Sequence, residues 1–432
     1  MKVYKYPDRK EWKEILRRPV MDNNSLEKTV GKILKKIKEK GDKAIKKYTE
    51  EFDGVKLKKF LVTEKEIKAA AAMLSEELKQ AIQQAASNIR SFHEKQVAPV
   101  EIIETMPGVK CWRKSIGMEK VGLYIPGGTA PLFSTILMLG IPAKIAGCGE
   151  IILCTPPTPL LKERGRGEVH PAILYTAQLV GINKIFKVGG VQAIAAMAYG
   201  TETIPRVNKI FGPGNQFVTC AKQLIQKDGI AIDMPAGPSE VAVYADVTAV
   251  PAFVAADLLS QAEHGADSQV ILVADSESVV ERVQAELSLQ LSDLPRKELA
   301  KKALSNSKII IVNDEAEAIG LLNEYAAEHL ILSCENAEAV ADKIINAGSI
   351  FIGNYSPESV GDYASGTNHT LPTNGNAKAY SGVSVDSFVK KITYQQLSEE
   401  GLRNIAGTVE LMAVAEGLEG HAAAVRVRNQ EI

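Results

Sequence analysis

The sequence predicts an α/β protein of two Rossmann-like but incomplete α/β domains, with small helical segments at its N- and C-termini. Three observations carry this expectation. After about Val121, short apolar segments without polar alternation recur between helical segments of about 10–15 residues, as in parallel strands covered on both faces. There are too many of them for one compact sheet. The chain's 432 residues also exceed what a single core usually supports.

The elements follow in order. Residues 1 to about 95 read as helices rich in Lys and Glu, and Lys32–Glu50 sets Ile and Leu among lysines at helical spacing, an amphipathic helix. Strand VGLYIPGG then leads to helical TAPLFSTILMLGIPAKIAG, strand EIILCTPP and helical PAILYTAQLVG. NKIFKVGG, helical VQAIAAMAYGT, NKIFGPGN and helical QFVTCAKQLIQ come next. EVAVYAD, helical PAFVAADLLSQAEH and SQVILVAD open the second run, followed by KIIIVND, helical EAEAIGLLNEYAAEH, LILSCE, helical AEAVADKIINAG and SIFIGNY. Beyond about Ser381 the chain returns to helix. Thr155–Pro171, broken by Pro, Gly and charge, reads as an exposed loop that includes His170.

This rhythm suggests an N-terminal helical segment at 1–20. A discontinuous α/β domain is expected over 21–123 and 239–383, and an inserted α/β domain over 124–238. The C-terminal helical segment is expected at 384–432, and the sheet of the second unit is expected to take in part of the N-terminal region's chain.

Composition narrows the class. With 45% hydrophobic residues, 24% charged and a net charge of −1, the chain reads as a soluble globular protein, and no basic block suggests nucleic acid. Five cysteines (Cys111, Cys148, Cys154, Cys220 and Cys334) form no CxxC, which argues against a disulfide framework and points to the reducing cytoplasm. The N-terminus lacks the apolar core of a signal peptide. The longest apolar run, Leu132–Pro156, is interrupted by Pro142, Lys144 and Glu150, which argues against a membrane span.

Three strand ends in the first unit carry glycines: Ile125–Gly128, Lys187–Gly190 and Phe211–Asn215. Free N–H groups at the following helix N-termini could receive cofactor phosphates, or the glycines could serve only the turns. A full GxGxxG is absent, because Phe217 stands at the third glycine position of FGPGNQF.

Polar residues stand out against the apolar rhythm. Gln261 and His264 share a helix face just before Gly265, which suits a left-handed helix cap. A solvated helix end and a pair of ligands are both consistent with that pattern. Together with Asp362 and His421 they offer one amide oxygen, one carboxylate and two imidazoles, a set that suits Zn²⁺ if the fold gathers it. Glu328 and His329 read either as a general-base pair about 100° apart on a helix or as a polar helix end.

As an ordered set, VGLYIPGGTAPLFSTILM, FGPGNQFVT, MPAGPSE, SQAEHG, AAEHLIL, GDYASGTNHTLPT and EGLEGH resemble the histidinol dehydrogenase family. The resemblance implies oxidation of L-histidinol to L-histidine through a bound aldehyde with two NAD⁺ reduced, the final step of histidine biosynthesis. It implies one zinc per subunit, held by Gln261, His264, Asp362 and His421, with His421 crossing a homodimer interface into a shared active site. The zinc would hold the substrate's imidazole and amino nitrogens, an orienting role.

By the same resemblance, His329 removes the hydroxyl proton and Glu328 activates water. Substrate would be met by Ser239, His369 and Glu416, besides the zinc ligands and His329. Tyr124, Gln192 and Asn215 match NAD-contacting positions. Two positions depart from the family pattern: Ala327 replaces a frequent Pro, and Asn208 replaces a usual Asp at a local hydrogen bond. A zinc- and NAD-dependent dehydrogenase of another amino alcohol, a two-lobed binding protein and a structural zinc protein are the alternatives. The intact Ser239, His369 and Glu416 argue against the first, Glu328 and His329 against the second, and the lack of cysteine ligands against the third.

Overall fold

The computed structural model describes residues 1–18, 23–127, 131–157, 167–235 and 237–429. Gly128, most of the loop expected over Thr155–Pro171, Ala236 of MPAGPSE and the last three residues lie outside them.

Fourteen described strands appear in chain order. The first eight are β1 (Lys2–Lys5), β2 (Ile102–Met106), β3 (Val109–Gly117), β4 (Lys120–Tyr124), β5 (Glu150–Thr155), β6 (Lys184–Lys187), β7 (Lys209–Phe211) and β8 (Ala231–Ile232). The remaining six are β9 (Glu240–Ala245), β10 (Gln269–Ala274), β11 (Lys308–Ile311), β12 (His329–Ser333), β13 (Ser349–Ile352) and β14 (Val389–Leu397).

Two parallel sheets form. One runs β6-β5-β4-β7-β8 and the other β1-β11-β10-β9-β12-β13. The strands of β4–β8 and of β9–β13 follow the same spatial order: the first strand central, two successors on one side, two on the other. This is the doubly wound pattern expected from the sequence, one strand short of the full six in each run.

Each sheet is covered on both faces, which is why its strands are continuously apolar. On the five-stranded sheet, Val30, Ile37 and Ile45 join Ile152 and Ile194 on one face, and Ile82 and Ile89 join Leu123, Ile136 and Leu137 on the other. On the six-stranded sheet, Val254, Leu258 and Val283 pack under Val241 and Leu272, while Trp12, Leu321 and Tyr325 cover Tyr244 and Ile271.

These cores correct the expected grouping. The helices Asn23–Asp53, Glu64–Ala71 and Glu76–Glu94 bury their apolar stripes against the five-stranded sheet, not against the unit containing 239–383. Residues 2–5 lie in the segment expected as helical but extend the six-stranded sheet as its edge strand beside β11, in line with the expectation that this sheet takes in part of the N-terminal chain. The helix Asn23–Asp53 is broken at Gly41 (φ 50°), where the Glu202 carboxylate accepts from Asp42 N at 2.8 Å and fills the space a side chain would need.

A third sheet was not anticipated: antiparallel β14-β3-β2. Hence the C-terminal segment opens with a 3₁₀ turn and a nine-residue strand before its helices Glu399–Ala415 and Glu419–Asn429. His170, expected as a plain loop residue, caps the helix Pro171–Leu179 by accepting from Ala172 N. Asn208 keeps a local hydrogen bond despite replacing Asp, its Oδ1 accepting from Lys120 N at 3.0 Å.

Candidate active site

The helix Pro251–Ala262 ends at the amino edge of the six-stranded sheet and brings Gln261 and His264 there. Its closure differs from expectation: Glu263 caps it in right-handed conformation, and Gly265 is not left-handed. Gln261 is buried, and its Nε2 reaches Glu240 O at 3.3 Å and His329 Nδ1 at 3.0 Å. Its Oε1 is buried without a partner in the protein. Such an orphaned acceptor costs free energy unless a cation or donor meets it.

The helix Glu315–Tyr325 ends at the same edge with Ala326 in left-handed conformation. Ala327, where the family often has Pro, is buried and keeps the turn. Glu328 and His329 are therefore not helical: His329 is the first residue of β12. Glu328 lies just before the strand and His329 opens it, and their side chains approach one another. Both are buried, with His329 Nδ1 3.7 Å from Glu328 Oε2 and 4.0 Å from Glu358 Oε2, and Nε2 3.2 Å from Asp362 Oδ1.

Burial works against a charged His329, but the carboxylates of Glu328, Asp362 and Glu358 outweigh it and raise its pKa to about 10. Burial pushes Glu328 up to about 8, opposed by the His329 charge. The direction that follows from the geometry is a firmly held proton on His329. A cation arriving at Asp362 would compete for that carboxylate and loosen the proton.

Asp362 comes from the helix Glu358–Tyr363, and its carbonyl lies 2.7 Å from His369 Nδ1. His369 Nε2 lies 3.1 Å from the Thr135 hydroxyl on the other lobe, a polar contact between the two halves. His264 and Asp362 interact electrostatically, and His264 stands exposed at the wall of a cleft. That cleft, about 630 Å³, is bordered by Ser239 and His264 on one side and by Asn215 and Gln216 on the other.

At the carboxyl edge of the five-stranded sheet, the buried Tyr124 hydroxyl accepts from Gly190 N at 3.0 Å, at the start of the helix Gly190–Tyr199. Gln192 lies buried in that first turn beside the Asp53 carboxyl. Asn215 caps the next helix, its Oδ1 accepting from Phe217 N and Val218 N.

The fold thus brings Gln261, His264, Glu328, His329, Asp362 and His369 together, with Ser239 beside them on the cleft. It does not bring Glu416 or His421: both are exposed, Glu416 at the cap of the helix Glu399–Ala415 and His421 on the helix Glu419–Asn429 that packs against it. Among the described residues, no three His, Cys, Asp or Glu side chains form a complete metal cage. The donor types present still suit a borderline cation: the orphaned Gln261 oxygen, the His264 imidazole and the Asp362 carboxylate, with places left open.

Sequence reasoning missed Glu240 and Glu358. A signal existed for each, since Glu240 is a charge at the head of the apolar run EVAVYA, and Glu358 precedes Asp362 by one helical turn.

Two lobes of parallel α/β structure, with an acid–base cluster at the edge of one and a cleft running from Ser239 and His264 to the glycine-rich turn at Gly214–Asn215 of the other, define a bilobal α/β enzyme. A family model described as histidinol dehydrogenase matches residues 16–429. The chain is 58% identical over 428 residues to histidinol dehydrogenase of Bacteroides thetaiotaomicron, covering 99% of each chain. It is 49% identical over 417 residues to that of Salmonella typhimurium, covering 96% of this chain and 94% of the relative. The crystal structure of histidinol dehydrogenase from Elizabethkingia anophelis matches with a TM-score of 0.96 at 55% identity, over 99% of this chain and 98% of that one. The chain belongs to the histidinol dehydrogenase family.

Proposed function

We propose that this protein oxidises L-histidinol to L-histidine through enzyme-bound L-histidinaldehyde, reducing two NAD⁺ and consuming one water. The observation that carries the proposal is the buried Glu328–His329 pair beside the orphaned Gln261 oxygen, in a chain matching the family along almost its whole length. In the first oxidation His329 takes the hydroxyl proton as hydride leaves the carbinol carbon for NAD⁺. In the second, Glu328 takes a proton from the water that adds to the aldehyde, and the hydrate delivers its hydride to a second NAD⁺. Two neighbouring bases suit two steps with different proton donors. Ser239 and His369 would position the substrate from either side.

Gln261, His264 and Asp362 would hold one Zn²⁺ per subunit, with His421 supplied by a second copy of the chain and Glu416 contacting substrate from the same helices. When bound, the zinc would orient the substrate's imidazole and amino nitrogens. Homodimerisation is supported by large apolar side chains exposed on those helices, Leu411 at 76% and Met412 at 62%. NAD would lie along Tyr124, Gln192 and Asn215, where helix N-termini suit its phosphates. A cytoplasmic location accords with the free cysteines. No described helix is long and apolar enough to cross a membrane.

NADH formation from L-histidinol tests the reading, before and after chelation and zinc repletion. Two NADH per histidinol, lost on chelation and restored by zinc, is the expected result. A zinc-loaded protein that leaves histidinol unchanged would overturn it.

A further inference from the structure

Glu240 sits at the head of β9 with 2% of its surface exposed, and an unpaired carboxylate there would be costly. Arg18 meets it in a bidentate grip: Nε donates to Oε1 at 2.5 Å and Nη2 to Oε2 at 2.9 Å. The same guanidinium donates to Tyr325 O at 2.7 Å and stacks 4.1 Å from that ring's centre. Asn374 N adds a third donor to Glu240 Oε1 at 3.0 Å. The segment that delivers Arg18 is itself tied down, since Arg17 O accepts from Lys308 Nζ at 2.6 Å and from Gln269 Nε2 at 3.4 Å.

While its side chain is gripped, the peptide groups of Glu240 face the acid–base cluster. Its N–H donates to Glu328 Oε2 at 2.9 Å. Its carbonyl accepts from Gln261 Nε2 at 3.3 Å and lies 3.2 Å from His329 Nδ1. One residue therefore touches both proposed bases and the amide with the orphaned oxygen, and Ser239 precedes it directly.

We infer that Glu240, gripped by Arg18, is a positioning residue that fixes Glu328 and His329 in their reactive geometry without touching substrate. The inference rests on the roles proposed above for Glu328 and His329. Its physical basis is a fixed anchor at the point where the strand ladder begins: a shift of about 1 Å in a reacting group can cost about 10²-fold in rate.

Four variants test it: Glu240→Gln, Arg18→Met, Arg18→Lys and the double variant Arg18→Met/Glu240→Leu. Both Glu240→Gln and Arg18→Met are expected to lose about 10²-fold in kcat, with KM for histidinol and NAD held within about threefold. Arg18→Lys keeps the charge but not the fork, and recovers part of the rate. Apolar replacement of a buried ion pair is often neutral for stability, so the double variant should approach wild-type Tm yet remain slow. A double variant that regains both Tm and kcat would overturn the inference, as would losses confined to KM.

Hydrogen exchange at the Glu240 amide needs no substrate. It should quicken at least about tenfold in Arg18→Met, and unchanged exchange would sink the tether whatever the enzyme's reaction proves to be. Failure of wild-type turnover alone would instead reject the proposed reaction.

Discussion

The two lobes share one strand order and use opposite edges of it. In the five-stranded sheet, Tyr124, Gln192 and Asn215 gather beyond the carboxyl ends of the strands, among helix N-termini. In the six-stranded sheet, Glu328, His329, Ser239, Gln261 and His264 gather at the amino ends, among helix C-termini. Helices that return antiparallel to parallel strands make this a sorting of charge. Their N-termini carry partial positive charge and favour anions, and their C-termini carry partial negative charge and favour cations. The proposed phosphate-bearing cofactor and the proposed metal cation would thus suit opposite edges of the same architecture. Under that proposal the rule that ligands bind beyond the carboxyl ends would serve the first lobe only.

The largest effects are expected at the amino edge. His329→Asn and Glu328→Gln should each cost about 10²–10⁴-fold, the former in histidinol oxidation and the latter in histidinaldehyde oxidation. Rates on the two substrates measured separately check this, and equal impairment of both steps in both variants would abolish the division.

His264→Ala and Asp362→Asn should weaken zinc binding by about 10²-fold or more, read as zinc retained after dialysis, while NAD affinity stays unchanged. A fall in NAD affinity of the same size would erase the contrast between the edges.

At the carboxyl edge, Asn215→Ala should raise KM for NAD about tenfold and cost about 1 kcal/mol through the lost helix cap, sparing zinc content.

The smallest effect concerns Asp53, beside Gln192. Burial raises its carboxyl to about 6, so the folded lobe retains a proton that the unfolded chain has already released. Its contribution declines as pH rises from the ordinary carboxylate range to about 6, then levels off. Asp53 is partly exposed, which reduces the size of the effect. Asp53→Asn should therefore stabilise the protein by about 1 kcal/mol at pH 8 and by nothing measurable at pH 4, as thermal melts at both values would report.

Much of this arrangement was legible in the sequence, for identifiable reasons. Continuously apolar strands such as EVAVYA and VILVA announce two-sided burial, and the glycine-rich turns mark strand ends. The motifs around Gln261, Glu328 and Asp362 placed the cluster before any coordinates did. The partners of segments were harder to read. KVYK carries no apolar run, and only the neighbouring β11 makes it a strand. The helices of residues 23–94 display apolar stripes without stating which sheet will cover them. In β2, β3 and β14 most residues remain partly or fully exposed, so the burial pattern that marks a strand is weak within one chain. Glu240 escaped notice because its part is played by its peptide groups, which every residue possesses.

The edge strand β1 also bears on how the protein is made. Residues 2–5 are made well before their partners at Lys308–Ile311, which follow some three hundred residues later. At ordinary translation speeds that is a wait on the order of tens of seconds. The five-stranded lobe draws its strands and covering helices mainly from residues 23–232, an almost unbroken stretch, and can close during that interval. The newborn chain then carries a finished five-stranded lobe beside an unpaired β1, and the six-stranded lobe closes only once β11, β12 and β13 have been made.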